Sequence, residues 1–182
     1  GNGDGTFEAR RSFTSGVYPN ALSIADFDGD GVLDLVSVAV ETSPISVLLG
    51  NGDGTFKARR SFYTDSSSPS ISVGDFDGDG ALDLVTMAPT GNALSVILGN
   101  GDGTFKARRS FVSGAYPQSV SAADFNGDGK LDLVSMDNSS NTLSILLGNG
   151  DGTFQARRSF ASGTGPGSLV LADFDGDGVL DL

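Results

Sequence analysis

The sequence predicts an all-β repeat protein, and three observations support that fold class. First, an acidic segment, DFDGDGVLD at Asp26–Asp34, returns at Asp75–Asp83, Asp124–Asp132 and Asp173–Asp181, with a strict period of 49 residues. Second, each period holds several short apolar runs rich in β-branched residues and bounded by glycine, asparagine or proline. Third, no stretch has the periodicity of an amphipathic helix. The 182 residues therefore form about 3.7 copies of one β unit.

The unit from Pro19 to Phe62 shows the strand signals most clearly. Four strands are predicted in it: ALSIA at 21–25, LDLVSVAV at Leu33–Val40, ISVLL at Ile45–Leu49 and TFKARRSF at 55–62. The acidic loop separates the first strand from the second. Pro44, in ETSP, ends the second strand because proline has no N–H for a ladder, and the polar segment YTDSSS leads to the next unit.

A glycine-rich segment, GNGDG at residues 50–54, joins the third strand to the fourth. We interpret it as a hairpin turn, because glycine and asparagine supply the positive φ that tight hairpins need. The alternative, half of a second metal loop, is less favoured because no further carboxylate follows Asp53 at ligand spacing. Four antiparallel strands in 49 residues are typical of one blade of a β-propeller.

The repeat divides the chain into one propeller segment over residues 1–182. The predicted parts are the final strand of a preceding blade at 1–18, three blades at 19–67, 68–116 and 117–165, and the start of a further blade at 166–182. Unpaired strand edges invite pairing with another chain. We therefore expect either that further chain completes the propeller or that copies of this chain associate end to end.

Each acidic loop carries oxygen ligands at the spacing that suits calcium, which takes six to eight oxygens from a flexible cage. Asp26, Asp28 and Asp30 alternate along the tight loop, so their carboxylates can all turn inward. The carbonyl of Val32 and both oxygens of Asp34 are expected to close the cage. Without a metal, four carboxylates so close together would repel one another strongly, which argues against a purely structural turn.

Three other positions of the loop have structural tasks. Gly31 is expected to adopt a left-handed conformation that curls the chain back. Phe27 and Leu33 carry no oxygen ligand and are expected to anchor the loop to a hydrophobic interior.

These motifs resemble the FG-GAP or VCBS repeat, the blade of integrin-α-type β-propellers, which also occurs in secreted bacterial adhesins, lectins and accessory domains of polysaccharide-degrading enzymes. The resemblance spans the whole chain and rests on DxDxDGxxD between the first two strands and LLGNGDGTF after the third. It implies up to four calcium ions, held by Asp26, Asp28, Asp30 and Asp34; Asp75, Asp77, Asp79 and Asp83; Asp124, Asn126, Asp128 and Asp132; and Asp173, Asp175, Asp177 and Asp181, with the carbonyls of Val32, Ala81, Lys130 and Val179. Rings of this family usually have six to eight blades.

The third loop departs from the other three. Asn126 replaces a carboxylate with a neutral amide, and Lys130 adds a positive charge nearby. We expect this loop to bind calcium more weakly than the others.

Composition limits the possible functions. The formal net charge is −12, but 15 of the 23 acidic residues belong to the four loops, so four bound calcium ions would leave a charge of −4, and a nucleic-acid partner is not expected. The chain has no cysteine and no histidine, which excludes disulfides, a thiol nucleophile and a histidine base.

Weak calcium sites of this kind work in the millimolar calcium outside cells, so we expect an extracellular or cell-surface protein. No membrane span is expected.

Two sets of side chains are candidates for a partner surface. One is the arginine pair of each fourth strand: Arg10 and Arg11, Arg59 and Arg60, Arg108 and Arg109, Arg157 and Arg158. We expect these pairs mainly to block edge pairing and keep the rim soluble, with a ring of sites for anionic ligands as the alternative. The other is Tyr18 and Tyr116, which Ser67 and Gly165 replace in the other units; loop packing is favoured over a lectin-type pocket.

These features predict a calcium-loaded adhesion or ligand-recognition scaffold for a protein or carbohydrate partner, which is not an enzyme because the loop aspartates are committed to metal. One alternative is a structural repeat that forms rings or filaments through its terminal blades, which the near identity of the units favours slightly. Another is a non-catalytic accessory domain of a secreted polysaccharide-active enzyme.

Overall fold

The computed structural model describes residues 3–15, 18–39, 45–62, 68, 70–88 and 91–182 of this chain. Predictions that concern Val40, the ETSP break with Pro44, the segment 63–67 and Ser67 lie outside these ranges. Everything described is strand, turn or loop, without a helix, and the all-β prediction is confirmed. No helix in the described part is long and apolar enough to cross a membrane.

In the described part of the chain, twelve strands form three four-stranded antiparallel sheets, and in each sheet neighbouring strands follow one another in sequence. The first sheet contains β1 (Pro19–Ala25), β2 (Asp34–Ala39), β3 (Ile45–Leu48) and β4 (Arg60–Phe62). The second contains β5 (Ile71–Gly74), β6 (Asp83–Ala88), β7 (Ala93–Ile97) and β8 (Arg109–Val112), and the third β9 (Pro117–Ala123), β10 (Asp132–Asp137), β11 (Thr142–Leu146) and β12 (Arg158–Ala161). The acidic loop joins the first and second strands of each sheet, as predicted.

The fourth strand of the first sheet is shorter than the strand predicted from the sequence. Val47 pairs with Arg60, whereas Gly50 pairs with Phe56, so between these two pairs two residues of one strand face three of the other. The extra residue is a bulge-like irregularity that interrupts the ladder. TFKARRSF therefore contributes one isolated bridge at Phe56 and only three residues of regular strand.

The hydrophobic core lies between successive sheets. Two hydrophobic clusters fill the spaces between the sheets. In β6, Leu84 packs into the cluster between the first and second sheets, whereas Val85 and Met87 pack into the cluster between the second and third. Alternate residues of a strand point to opposite faces, and all three side chains have no exposed surface. The middle sheet is thus covered on both faces, which is the packing of stacked propeller blades.

Candidate metal centre

The first acidic loop, residues 26–34, is folded around the carboxylate of Asp26. Its Oδ1 accepts the N–H groups of Gly29 at 2.8 Å and Asp30 at 3.2 Å, and its Oδ2 accepts that of Gly31 at 2.8 Å. Gly31 has the predicted positive φ, 83°. Asp30 Oδ1 accepts the N–H of Val32 at 2.8 Å. Backbone donors therefore fix the directions in which these carboxylates point.

Asp34 links the acidic loop to the GNGDG turn. Its side chain is fully buried; Oδ2 accepts the N–H of Phe27 at 2.8 Å and Oδ1 that of Gly50 at 2.7 Å. A Cβ at Gly50 would lie 2.5 Å from the carbonyl oxygen of Leu33, so only glycine permits this approach. The turn prediction is confirmed. Gly50 forms an isolated antiparallel β-bridge with Phe56, and the side chain of Asp53 accepts the N–H of Thr55 within the turn.

The structure brings together three of the four predicted side-chain ligands in three of the loops. The oxygens that lie within 4.8 Å of one another belong to Asp26, Asp28 and Asp34, to Asp75, Asp77 and Asp83, and to Asp173, Asp175 and Asp181. Asp30, Asp79 and Asp177 stand outside these clusters, and each accepts the N–H of the residue two positions later. In the third loop, Asn126 Oδ1 accepts the N–H of Asp128 at 2.9 Å.

Two observations test whether these loops fit a cation. Asp28 Oδ1 is buried, and within the described part of the chain it has no hydrogen-bond partner. Burial raises the pKa of Asp83 to about 6, although the N–H groups of Gly99 and Phe76 act in the opposite direction. An unpaired buried oxygen and a carboxylate whose charge is disfavoured by burial are both costly. A hard cation with oxygen preference would relieve both costs.

Two lysines lie beside the first and second loops, and both were missed from the sequence. Lys57 Nζ lies 3.3 Å from Asp28 Oδ2 and 3.5 Å from Asp30 Oδ2. Lys106 Nζ lies 3.6 Å from Asp77 Oδ2 and 3.2 Å from Asp79 Oδ2. The hydrogen bond to Asp28 raises the pKa of Lys57. The signal available in the sequence was the position after Phe in each GNGDGTF segment, which holds lysine in these two units.

The first and second acidic loops also contact the next sheet. The carbonyl of Phe27 accepts the N–H of Gly103, in the turn of the second sheet, at 3.0 Å. The ring of Phe105 lies edge-on to Phe27 and Phe62, with centroid distances of 6.1 and 5.4 Å. The same arrangement joins the second sheet to the third through Phe76, Phe111 and Phe154. The loop that carries the carboxylates is therefore part of the interface between blades.

The prediction that Phe27 and Leu33 both anchor the loop is right for one residue and wrong for the other. Phe27 is 3% exposed, whereas Leu33 is 64% exposed. The equivalent residues Leu82 and Leu131 pack against the core clusters that each sheet shares with the sheet before it. Leu33 is exposed because no described sheet covers that side of the first one.

The arginine pairs make contacts that the sequence did not reveal. In the first three pairs the second arginine donates from Nη1 to a turn carbonyl of the next sheet: Arg11 to Asp53 at 3.0 Å, Arg60 to Asp102 at 2.8 Å and Arg109 to Asp151 at 3.3 Å. In the last three pairs the first arginine donates to a serine of the adjacent strand in its own sheet, as Arg59 does to Ser46 at 3.3 Å. These guanidinium groups therefore join blades and strands as well as bordering solvent.

Substitution of Arg60 by methionine tests this contact between blades. We expect Arg60→Met to lower the free energy of unfolding by about 1 kcal/mol, because the backbone carbonyl of Asp102 loses its charged hydrogen-bond donor at a partly hydrated site. Arg158→Met is the matched control, since Arg158 is exposed on β12 and its guanidinium group donates no hydrogen bond to any described residue. Equal losses in both variants, measured by urea denaturation, would contradict the role of the bond.

Tyr18 and Tyr116, for which packing of a loop on proline was favoured from the sequence, are largely exposed. They are 72% and 51% exposed. Both have positive φ, 51° and 55°, a conformation that costs a bulky residue about 1 kcal/mol or more. Gly165, at the equivalent position of the third unit, has φ 65°. The backbone at this position thus suits glycine, yet two units place an exposed aromatic ring there.

Solved structures with the same fold include a lectin and a toxin. A lectin of Agrocybe aegerita, described for specific recognition of non-reducing terminal N-acetylglucosamine, is 27% identical with a TM-score of 0.55; the match covers 74% of this chain and 36% of the lectin. The Tc holotoxin pore of Photorhabdus luminescens is 23% identical with a TM-score of 0.54, over 87% of this chain and 8% of that one. A comparison with curated protein sequences gave no match.

The repeat itself is matched along the entire chain. The model of the FG-GAP-like repeat matches residues 1–37, 34–86, 85–135 and 124–182. These four segments contain all four acidic loops and all twelve strands. The chain belongs to the FG-GAP-like repeat family.

Proposed function

We propose that this chain is a calcium-binding extracellular β-propeller module that acts as an adhesion or ligand-recognition scaffold. Three blades would occupy residues 19–67, 68–116 and 117–165, between parts of a preceding and a further blade. Calcium would be held by the oxygens of the four acidic loops: Asp26, Asp28, Asp30, Val32 and Asp34; Asp75, Asp77, Asp79, Ala81 and Asp83; Asp124, Asn126, Asp128, Lys130 and Asp132; and Asp173, Asp175, Asp177, Val179 and Asp181.

The observation that carries the calcium proposal is the geometry of the first loop. Three carboxylates, of Asp26, Asp28 and Asp34, place oxygens within 4.8 Å of one another, and Asp28 Oδ1 is buried without a hydrogen-bond partner among the described residues. Backbone N–H groups already orient Asp26 and Asp34. A preorganised set of oxygens with an unsatisfied member is what a calcium ion would complete.

The third loop offers a test of the ligand set. Asn126→Asp restores the carboxylate present in the other loops, so we expect tighter calcium binding at that loop, by about tenfold or less. Isothermal titration calorimetry of the variant and the wild-type chain would measure it. An unchanged or weaker affinity would contradict the assignment of position 126 as a ligand.

Support for a carbohydrate partner comes from the exposed tyrosines. Aromatic rings that remain accessible present flat apolar faces, which suit stacking against sugar rings. The strained backbone at Tyr18 and Tyr116 is of the kind that persists at binding sites. The lectin with the same fold recognises a terminal N-acetylglucosamine, so we propose glycans with that terminus as the first ligands to test.

A glycan array in millimolar calcium tests the recognition function. We expect binding to a subset of glycans and its loss in the double variant Tyr18→Ala, Tyr116→Ala, with an unchanged circular dichroism spectrum. Tyr63→Phe is the control for a general effect of tyrosine substitution. Binding that persists in the double variant would exclude the tyrosines as the contact, and absence of any glycan binding would favour a protein partner.

A second candidate, self-assembly, is favoured by the exposure of the outer phenylalanines. Phe7 is 82% exposed and Phe160 is 51% exposed, whereas their equivalents in the inner repeats, such as Phe105 and Phe62, form an edge-on pair. Phe7 of one copy and Phe160 of another could therefore form the same pair, in a ring or a filament. A further blade of the same protein would cover these rings equally well.

The association state of the chain in calcium separates these possibilities. If copies assemble, light scattering will show a mass that rises with concentration, and Phe7→Ser will reduce it. A monomer at high concentration would contradict self-assembly and leave the recognition module as the proposal.

A further inference from the structure

The lysines beside the first two acidic loops occupy a position that the third unit fills with glutamine. The backbone N–H groups of Lys57, Lys106 and Gln155 donate to the equivalent carbonyls of Leu49, Leu98 and Leu147, at 2.7, 2.7 and 2.8 Å. The three side chains therefore start from the same place in each blade. Two of them end in an ammonium group within 3.6 Å of two loop carboxylates, and the third is neutral.

The charge of each loop matches the residue that stands beside it. The two loops with a lysine have a full set of four aspartates, whereas the loop beside Gln155 has Asn126 in place of one. Counted over the side chains at the four ligand positions and this neighbour, the formal charge is −3 in all three units; Lys130, which lies within the third loop, is outside this count. The stem of Lys130 lies over Gly150, where its Cδ would be 3.1 Å from a Cβ added to that glycine.

We propose that Lys57 and Lys106 are resident counter-ions of the first and second loops, which hold the metal-free loops folded and lower their affinity for divalent cations. The inference rests on the proposed calcium binding. Each lysine contacts one carboxylate inside the three-aspartate cluster and one outside it, as Lys57 does with Asp28 and Asp30. Each lysine side chain is still more than 40% exposed, 46% and 43%, so the ammonium group can swing into water when a cation enters.

The expected size of the effect follows from the charges involved. An ammonium group about 5 Å from a divalent ion weakens binding by roughly three- to tenfold in a well-hydrated site with physiological salt, which screens the repulsion, and the lower value applies if the lysine moves away. The same ammonium group attracts the carboxylates when no metal is bound. Its removal should therefore affect the metal-free and the calcium-bound protein in opposite directions.

The test is the double variant Lys57→Gln, Lys106→Gln, which gives both loops the residue of the third unit. At constant pH and ionic strength, we expect calcium titration by calorimetry to show about three- to tenfold lower dissociation constants at two sites. In chelator, we expect a lower thermal midpoint than the wild-type chain has. Arg158→Gln removes one exposed positive charge from another sheet, so it is the charge-matched control for each single variant, Lys57→Gln and Lys106→Gln.

The converse variant, Gln155→Lys, should weaken calcium binding at the third loop. The new ammonium group would compete with the ion for the carboxylates, and Asn126 leaves this loop with one carboxylate fewer than the others. A lower midpoint for the double variant with unchanged affinity would overturn the proposal, since the lysines would then only support the fold. Unchanged behaviour in both assays would overturn it as well.

Failure of the proposed function gives a different result. If neither the wild-type chain nor the double variant binds calcium, calcium binding and the counter-ion role are both overturned. If only the double variant binds, the lysines exclude the ion and the counter-ion proposal stands. If both bind with the same affinity, the calcium proposal stands and the counter-ion proposal falls.

Discussion

Removal of calcium should lower the thermal midpoint of this chain by about 10 °C or more. A site at a calcium concentration of about 100 times its dissociation constant contributes about 2.7 kcal/mol. For a protein of this size each kcal/mol shifts the midpoint by about 2–4 °C, so two occupied sites are enough. Acidification should reduce the stabilisation by calcium, because protonated carboxylates are poor ligands.

The effect should extend beyond the loops because they are part of the contacts between blades. The carbonyls of Phe27 and Phe76 accept N–H groups from the turns of the following sheets, both at 3.0 Å. A loop that loosens without metal would loosen these contacts too. Differential scanning calorimetry in calcium, in magnesium and in chelator measures the shift; a midpoint that is the same in all three would contradict the prediction.

Asp34→Ala should be the most damaging substitution in the first loop, with a loss of about 3 kcal/mol in the free energy of unfolding. The carboxylate of Asp34 is fully buried and accepts the N–H groups of both Phe27 and Gly50. Alanine leaves two buried donors without a partner and separates the acidic loop from the turn. The loss should therefore be present in chelator as well as in calcium.

Asp28→Asn is the matched variant that separates metal binding from folding. Asp28 Oδ1 has no hydrogen-bond partner among the described residues, so the amide removes charge without removing a backbone bond. We expect a small change in chelator and a partial loss of the stabilisation by calcium, because the third loop has asparagine at the same position, Asn126, and is expected to bind calcium more weakly. Urea denaturation of both variants, with and without calcium, measures this; a loss from Asp34→Ala that is seen only in calcium would contradict the structural role of Asp34.

Local patterns in the sequence were sufficient for the fold and for the position of the acidic loops. The 49-residue period, the apolar runs and the glycine signals each depend on residues close together in the chain. The fourth strand was predicted too long because a bulge depends on pairing with its partner strand, and TFKARRSF contains no glycine to mark it. The anchoring of Leu33 was wrong because it depends on a neighbouring sheet.

The missed contacts join residues that are distant in the chain. Lys57 and Asp28 are 29 positions apart, and Arg60 and Asp102 are 42. No periodicity within a strand or loop can show which neighbour a long side chain reaches. The exposure of Tyr18 was missed for a related reason, since a tyrosine beside a proline suits both a packed loop and an open surface.

Calcium content at equilibrium tests the central claim most directly. The purified chain would be dialysed against millimolar calcium, and the bound ion would be measured by mass spectrometry against a dialysate blank and against Asp28→Ala, which removes the side-chain oxygens at this position. Occupied loops predict about four calcium ions per chain, one for each acidic loop, and about one fewer in the variant. Fewer than about one ion per chain, with the same value in the variant, would contradict it.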